Sequence, residues 1–174
     1  DLDLFVTNFS RETNTLYRND RAAGFKDVSP GTDAANASFN QLGFGTFFFD
    51  ADNDADLDLY IANGHVLDRI QILEADLRYA QNDQLLQNDG QGHYSDISAT
   101  SGAAFAQALV SRGAARGDYD NDGDLDVLVN HLNGPAALYR NDRPPGSHWL
   151  GLELKDQAIG AQVHLTCDDR TQFR

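Results

Sequence analysis

The 174-residue chain contains 13 Lys and Arg residues against 27 Asp and Glu residues, which gives a formal net charge of -14. This excess of acid argues against a nucleic-acid partner or an anionic membrane surface, because either would require a basic patch. The only cysteine, Cys167, excludes an internal disulfide framework and a metal cluster held by several thiolates. No apolar run approaches the roughly 18 residues of a membrane span, so no membrane insertion is expected.

A repeated segment runs along the chain and affects how every predicted element is interpreted. Residues 1–8, 56–63 and 124–131 align without gaps, and each begins with Asp-Leu-Asp followed by apolar residues. The apolar residues at 59–62 and 127–129 are consecutive rather than alternate, so both faces of each strand are expected to be covered. Strands of this kind are typical of sheets that pack between other sheets.

A second match follows each of these segments and ends at Asn19, Asn88 and Asn141, each of which precedes an aspartate. In the first two units an aromatic residue, Phe25 or Tyr94, lies six positions after the asparagine. That aromatic residue begins an aromatic-X-Asp-Val/Ile pattern in both units. Each unit of the repeat is therefore predicted to hold about four short strands.

Strands are predicted, in chain order, at residues 44–49, 57–62 and 125–129, with a turn at residues 88–92 between two further strands. Residues 66–84 interrupt the second unit as an insertion. Apolar residues within it recur at spacings of three and four, which predicts a short amphipathic helix. These apolar residues are Val66, Ile70, Leu73, Leu77 and Ala80.

The predicted fold is all-β, with four-stranded antiparallel repeats that form β-propeller blades. A partial blade is predicted at residues 1–28, a full blade at 43–97 and a partial blade at 113–142, so the ring is incomplete. Residues 143–147, with two prolines and a glycine, are predicted to form a linker before a small C-terminal β domain at residues 148–174. Other blades or another chain are expected to cover the open propeller edges.

Two loops, residues 50–58 and 118–126, carry aspartate at every second position between apolar strands. Carboxylates brought together on one short turn repel one another unless a cation neutralises them. Calcium accepts about six to eight oxygen ligands in irregular geometry, so the two loops predict two Ca²⁺ sites. The predicted ligands are Asp50, Asp52, Asp54, Asp56 and Asp58 in the first loop and Asp118, Asp120, Asp122, Asp124 and Asp126 in the second, with Asp56 and Asp124 as the expected carbonyl donors.

Three alternatives to a calcium loop fit the sequence less well. An EF-hand closes with a glutamate at position 12 between two helices, whereas Ile61 and Val129 occupy that position here, inside predicted strands. Magnesium is disfavoured because it prefers a rigid octahedron with several retained waters. A solvated acidic turn is the simplest interpretation of one such loop. Two such loops at equivalent positions of the repeat favour binding of a metal ion instead.

The two loops differ at the position where the chain turns most sharply. Gly123 occupies it in the second loop and relieves the steric cost of a positive φ, whereas Ala55 occupies it in the first. The first loop is therefore expected to bind its ion more weakly. Asp1 and Asp3 resemble the end of a third such loop, to which no ion is assigned.

Residues 117–126, 138–141 and 25–28 resemble the FG-GAP or VCBS repeat family, which includes the propellers of integrin α-subunits. Asn63-Gly-His65 resembles the subgroup with an ASPIC/UnbV domain, the cartilage acidic protein 1-like family, and residues 148–174 are similar to the beginning of that domain. The resemblance implies a secreted, cell-surface or periplasmic protein with structural calcium. It also implies a protein or carbohydrate ligand of unknown identity.

No catalytic residue is predicted, and the first hypothesis is a non-catalytic binding, adhesion or scaffolding module. The alternative is the propeller part of an extracellular hydrolase or lyase whose catalytic residues lie outside these residues. The His65 and Asp68 pair is the one candidate for acid–base chemistry in the chain. A turn histidine that bonds to the inserted segment is the favoured interpretation of His65.

Overall fold

The computed structural model describes residues 2–142, 150, 152–154, 161–167 and 170–173. The chain divides into two units, Asp1–Arg143 and Pro144–Arg174. The predicted linker at residues 143–147, together with His148 and Trp149 at the start of the predicted C-terminal domain, lies outside the described residues.

The first unit is built from short strands, with few helical residues among those described. Its strands are β1 (Leu4–Val6), β2 (Thr15–Asn19), β3 (Phe25–Asp27), β4 (Gly43–Phe49), β5 (Asp58–Asn63), β6 (Gln84–Asn88), β7 (Tyr94–Asp96), β8 (Ser111–Gly117), β9 (Asp126–His131) and β10 (Ala137–Tyr139). Its helices are α1 (Asp33–Ser38) and α2 (Ile70–Leu73), and single 3-10 turns occupy Arg21–Ala23 and Ser98–Thr100.

These ten strands form three antiparallel sheets, which confirms the all-β prediction. The first sheet has the order β1-β2-β3, the second β4-β5-β6-β7 and the third β10-β9-β8. Equivalent residues of the sequence repeat also occupy equivalent positions in the strand pairing. Tyr17 pairs with Asp27 in the first sheet as Leu86 pairs with Asp96 in the second, so β2-β3 and β6-β7 are equivalent hairpins.

The second sheet lies between the other two, and β5 carries side chains to both interfaces. Leu59 and Ile61 enter a core cluster shared with the first sheet, whereas Tyr60 and Ala62 enter a cluster shared with the third. All four of these side chains are fully buried. The prediction that both faces of this strand are covered is confirmed.

The same prediction fails for β9 of the third sheet. Val127 and Val129 are buried against the second sheet, but Leu128 between them is 50% exposed. Its cross-strand partner on β10, Leu138, is also exposed. The outer face of the third sheet is therefore open among the described residues, because no further layer there packs on it.

The predicted short helix in the insertion of residues 66–84 is confirmed in part. Only α2, of four residues, is helical, and its N-cap Arg69 makes no side-chain capping bond. Ile70 and Leu77 are buried, but Val66 is 50% and Leu73 74% exposed. An isolated helix this short is marginal, and tertiary contacts determine the path of the segment instead.

Arg11 holds the inserted segment against the first sheet's hairpin. Its Nε donates to Glu74 at 2.6 Å, and a terminal nitrogen lies 2.5 Å from the Asp76 carboxylate. The helix α1 was not predicted from the sequence. Thr32 caps the helix by accepting a 3.2 Å hydrogen bond from the Ala35 amide, and Ala34 of the helix packs into the cluster between the first two sheets.

In the second unit, the strands β11 (His164–Cys167) and β12 (Arg170–Phe173) form an antiparallel pair. No helix among the described residues of the chain has the length and apolar character needed to cross a bilayer.

Candidate metal centres

The two aspartate loops occupy equivalent places in neighbouring sheets. Residues 50–58 connect β4 to β5, and residues 118–126 connect β8 to β9. A hydrogen bond of 2.7 Å from Asn53 Nδ2 to Asp124 Oδ1 joins the two loops directly. They therefore lie side by side at one end of the stacked sheets.

In the first loop, carboxylate oxygens of Asp50, Asp52 and Asp54 come within 4.8 Å of one another. Asp50 and Asp52 are partly buried, whereas Asp54 is exposed. The carboxylates of the other two predicted ligands, Asp56 and Asp58, lie outside this group. The structure therefore brings together loop positions 1, 3 and 5.

In the second loop the group is Asp118, Asp120 and Asp126, again with ligand oxygens within 4.8 Å of one another. Asp126 is buried, Asp118 partly buried and Asp120 exposed. Asp122 and Asp124 lie outside the group. Asp124 directs its carboxylate to the first loop instead, where it accepts the hydrogen bond from Asn53.

Asp58, at position 9 of the first loop, has a structural role that the sequence did not reveal. Its two oxygens accept hydrogen bonds from the backbone amides of Ala51, at 2.9 Å, and Asn88, at 2.8 Å. Burial, together with the neighbouring carboxylates of Asp52 and Asp54, raises the pKa of Asp58 to about 6 despite these bonds. The residue ties the start of the loop to the end of β6.

The same connection recurs in the other sheets. Asp126 accepts backbone hydrogen bonds from Tyr119 at 2.8 Å and from Asn141 at 2.9 Å. In the first sheet, Asp3 accepts from the Asn19 amide at 2.8 Å. The repeated Asp-Leu-Asp and the repeated asparagine are therefore partners in one recurrent contact. The alignment of the repeats showed both the aspartate and the asparagine, but it did not show that the two residues contact each other.

Among residues 2–142, little positive charge lies near the second acidic group. Partial desolvation within the loop raises the pKa of Asp120, and the negative charges of Asp122 and Asp126 contribute to this rise. The Arg140 guanidinium is 3.8 Å from Asp120 and bonds mainly to Asp142. Clustered carboxylate oxygens with so little compensation suit a hard divalent cation, and both groups could hold a metal ion.

The backbone turns in the same way in both loops, with left-handed residues at two equivalent positions. Asn53 and Asn121 have φ of 55° and 60°, and Ala55 and Gly123 have φ of 83° and 92°. The amides of Ala55 and Gly123 each donate a 3.0 Å hydrogen bond to the first aspartate of the loop. Ala55 therefore adopts a conformation that disfavours any residue with a Cβ.

Exchanging these two residues tests the strain. We expect Ala55→Gly to raise the free energy of unfolding by about 0.5–1 kcal/mol, because the left-handed conformation costs alanine about 1–2 kcal/mol and glycine's extra unfolded-state entropy offsets part of this gain. Gly123→Ala introduces the strain and should lower the free energy of unfolding by about 1 kcal/mol. Urea denaturation measures both, and a destabilising Ala55→Gly contradicts the expectation.

Two asparagine side chains connect the first loop to the third sheet and its loop. Asn53 donates to the Asp124 carboxylate, and Asn141 Nδ2 donates to the Ala51 carbonyl at 2.8 Å. Replacing Asn53 with alanine is expected to lower the free energy of unfolding by about 1–2 kcal/mol, because a charge-assisted hydrogen bond is lost.

Asn121→Ala is the matched control for that variant, since Asn121 is exposed and has the same left-handed backbone. It should cost less than Asn53→Ala by about 1 kcal/mol, as it removes no bond between loops. Chemical denaturation of both variants gives the difference. Equal losses show that the backbone conformation, and not the bond to Asp124, accounts for the effect.

His65 is fully buried and does not form an acid–base pair with Asp68, which is exposed. Its Nδ1 accepts a 3.0 Å hydrogen bond from the Leu67 amide, and its Nε2 lies 3.2 Å from Ser10 Oγ. Since Nδ1 is an acceptor, the neutral ring donates from Nε2 to Ser10. Burial lowers the pKa of His65, and the residue serves to pack the inserted segment.

Asp83 is a buried carboxylate that the sequence did not single out. It accepts a 2.6 Å hydrogen bond from Tyr60 Oη and a 2.9 Å bond from the Asn63 amide. Burial and the Asp83 carboxylate together raise the pKa of Tyr139, in the third sheet, to about 12. The carboxylate thus lies where the second and third sheets meet, and no repeat or spacing marks it in the sequence.

The chain therefore presents two acidic loops of one kind, joined by the hydrogen bond between Asn53 and Asp124. Oxygen-only donor groups of this type suit hard cations. No family model matches the chain, and no similar protein is found among curated proteins.

Proposed function

We propose that this chain is a calcium-binding part of a β-propeller that serves as a non-catalytic binding, adhesion or scaffolding module. The observation that carries the proposal is the pair of acidic groups at the same position in adjacent sheets, joined by the Asn53–Asp124 bond. One ion in each loop neutralises the carboxylates and fixes the end of each sheet. The ions are structural on this view.

Calcium is favoured over other cations by the chemistry of the donors. Each group contains carboxylate oxygens from a short loop, with further aspartates and backbone carbonyls close by in sequence. Calcium tolerates the irregular geometry of such a loop, whereas magnesium requires near-ideal octahedral coordination. Zinc and copper prefer nitrogen and sulfur ligands, which neither group contains.

The propeller is supported by the way the sheets repeat. Three sheets stack with equivalent registers, and corresponding residues face the same way in each. The first sheet leaves Leu4 and Phe25 exposed, and the third leaves Leu128 and Leu138 exposed. Two open apolar faces at the ends of a stack are what further blades would cover.

The resemblance to FG-GAP or VCBS repeats extends the proposal to location and partners. A propeller of this family would be secreted, on the cell surface or periplasmic, where millimolar calcium can saturate weak structural sites. Its partner would be a protein or carbohydrate. The acidic surface, at a net charge of -14, favours partners that are not polyanions.

Calorimetric titration with calcium tests the proposed ion binding. We expect two ions per chain, and one ion per chain for either Asp50→Asn or Asp118→Asn, because each variant removes a charged ligand from one loop. Asparagine keeps an oxygen that can accept the backbone hydrogen bond of the loop, so the fold is preserved.

Asp68→Asn is the control, since it removes an exposed aspartate outside both groups and should leave two ions bound. The titration also tests the expected inequality of the loops, in which the variant that retains only the first loop binds more weakly. A wild-type chain that binds no calcium, or a heat of binding unchanged in both loop variants, rules out the proposed sites.

A further inference from the structure

His65 is a fully buried histidine that joins the inserted segment, residues 66–84, to the first sheet. Its Nδ1 accepts a 3.0 Å hydrogen bond from the Leu67 amide, at the start of the segment. Its Nε2 lies 3.2 Å from Oγ of Ser10, a buried residue in the loop between β1 and β2. The backbone amide of His65 donates to the Tyr79 carbonyl at 2.8 Å. His65 therefore contacts the inserted segment at two places and the neighbouring sheet at a third.

The partners of the His65 ring fix its protonation state. A backbone amide can only donate, so Nδ1 carries no proton and the single ring proton lies on Nε2, directed at Ser10. A second proton would have to enter at Nδ1, where it would face the Leu67 N–H at hydrogen-bond distance. The imidazolium and this hydrogen bond therefore exclude each other. Ser10 accepts from Nε2–H in either state, so only the contact with the inserted segment changes.

The charged groups closest to His65 do not compensate for a positive ring. Glu74 of the inserted segment favours the charged form, but its carboxylate bonds to Arg11 at 2.6 Å. Arg112 of β8 opposes the charge, and its guanidinium donates a 3.0 Å hydrogen bond to the His65 carbonyl. The loop between β1 and β2 also covers the ring with the neutral Phe9, at 5.4 Å between ring centroids. Burial is the largest effect, and it lowers the pKa of His65.

The other elements near His65 in residues 2–142 do not add a free carboxylate beside the ring. The chain before β4 approaches through Leu42, whose carbonyl accepts a 3.0 Å hydrogen bond from the Gly64 amide. The buried Asp83 directs its oxygens to the Tyr60 hydroxyl and the Asn63 amide. The remaining charged residues of the inserted segment are exposed, and these are Asp68, Arg69, Asp76 and Arg78.

The inserted segment has few apolar contacts that would hold it without His65. Ile70 and Leu77 are buried, whereas Ile72 and Leu73 are 73% and 74% exposed. Its helix α2 has only four residues and would not persist by itself. A segment with so little buried apolar surface opens locally at a lower free energy than the sheets unfold.

We propose that His65 is an acid-sensitive switch, in which a second proton at Nδ1 breaks the bond to Leu67 and releases the inserted segment. Opening exposes Ile70 and Leu77 beside the exposed apolar residues of α2, so acid conditions enlarge an apolar surface. The switch goes beyond the calcium function. It lies at the opposite end of β5 from the first aspartate loop, since Asp58 begins that strand and Asn63 ends it.

Opening is expected as the pH falls below about 6.5. In the open segment His65 regains the ordinary histidine pKa of about 6.5, whereas burial lowers its pKa in the closed form. The closed form therefore binds fewer protons, so its stability is complete above about pH 6.5 and declines as the pH falls. One proton changes the opening equilibrium by at most about tenfold per pH unit. We expect about tenfold more opening at pH 5 than at pH 7.

Hydrogen exchange of the 174-residue protein, followed by mass spectrometry in calcium at about pH 7, 6 and 5, tests the proposal. After correction for the intrinsic pH dependence of exchange, the opening constant of a peptide covering residues 66–80 should rise about tenfold from pH 7 to pH 5. Peptides from β5 should keep their protection. Equal opening of β5 and the segment shows global acid unfolding and overturns the proposal, as does an opening constant that does not change with pH.

His65→Asn removes the titrating group and keeps an acceptor, because the asparagine side-chain oxygen can take the place of Nδ1. Its segment should open equally at the two pH values. His93→Asn is the matched control, since His93 is an exposed histidine that pairs with Asp89 in the turn after β6, and it should keep the tenfold response. Asp58, whose pKa is about 6, is present in both variants, so its contribution cancels. A His65→Asn variant with the pH response of the wild type overturns the proposal.

Nuclear magnetic resonance of the wild-type protein decides the question if His65→Asn does not fold. The ring nitrogens of His65 should show the Nε2–H form at about pH 7, and protonation of Nδ1 should coincide with loss of protection at the Leu67 amide. Protonation of His65 with the Leu67 amide still protected contradicts the switch.

Discussion

Removal of calcium is expected to lower the midpoint of thermal unfolding by about 10 °C or more. An ion present at 100 times its dissociation constant stabilises the folded state by about 2.7 kcal/mol per site, and 1 kcal/mol shifts the midpoint of a chain this size by about 2–4 °C. Two sites, at the groups Asp50/Asp52/Asp54 and Asp118/Asp120/Asp126, therefore give an effect well above experimental error. Circular dichroism melts with calcium and with excess chelator measure it.

The shift should be specific to calcium binding in the two loops. Asp50→Asn and Asp118→Asn should each reduce the difference between the two melts by roughly half, because each leaves one complete acidic group. A chelator melt repeated at about 1 M salt serves as a control, since screening weakens the repulsion between exposed carboxylates without occupying the sites. Identical melting with calcium and with chelator contradicts a structural role for the metal.

Replacing Asp83 with alanine is expected to lower the free energy of unfolding by about 3 kcal/mol or more. The change leaves the Tyr60 hydroxyl and the Asn63 amide buried without an acceptor, at a cost of about 1–3 kcal/mol each. Typical domains are stable by only about 5–15 kcal/mol, so this loss is a large fraction of the total. Urea denaturation at saturating calcium measures the loss apart from any effect on the metal sites.

Three further variants make that prediction specific. Tyr60→Phe removes one donor and should cost about 1 kcal/mol, and Asp83→Asn keeps one acceptor oxygen and should cost less than alanine. The cycle of Asp83→Ala and Tyr60→Phe should show a coupling of about 1 kcal/mol or more, because the two side chains share a hydrogen bond. Asp68→Ala, at an exposed site, should change stability little, and an Asp83→Ala variant as stable as Asp68→Ala contradicts the role of the buried carboxylate.

The two acidic loops are coupled in a way that would extend the effect of an ion bound in one loop to the other. Asn53 of the first loop bonds to Asp124 of the second, and Asn141 of the third sheet bonds to Ala51 of the first loop. An ion that orders one loop therefore also holds the amide or carboxylate that the other loop uses. We expect the ions to stabilise the interface between the sheets as well as each loop by itself.

The β5 strand was predictable from the sequence because its run of consecutive apolar residues requires cover on both faces. The matching run on β9 led to the same prediction, yet Leu128 is 50% exposed. The sequence of a strand indicates that both of its faces favour burial. Whether a neighbouring sheet is present to bury them depends on how the sheets assemble. The amphipathic spacing of residues 66–84 predicted a short helix, of which only Ile70–Leu73 forms, since contacts of Arg11, His65 and Leu77 determine the path of the rest of that segment.

Some features of the acidic loops were also predictable from the sequence, whereas others required the structure. The sequence predicted that both loops lie between strands and carry aspartates at equivalent positions. It also predicted the difference between Gly123 and Ala55, and Ala55 does adopt a φ of 83°. Which carboxylates come together could not be predicted from the sequence. Asp126 joins its group whereas Asp58 does not join its own, and Asp124 turns to Asn53 of the neighbouring loop.

The sequence by itself determined the all-β class, the repeat and the two aspartate loops, because periodicity, turn residues and spaced carboxylates are local properties of the chain. Only the tertiary structure decided which aspartate carboxylates come together and where Asp83 is buried. The physical reason is that these features arise from contacts between sheets that are distant in sequence. Side-chain direction, burial and unfilled space exist only after those sheets have stacked.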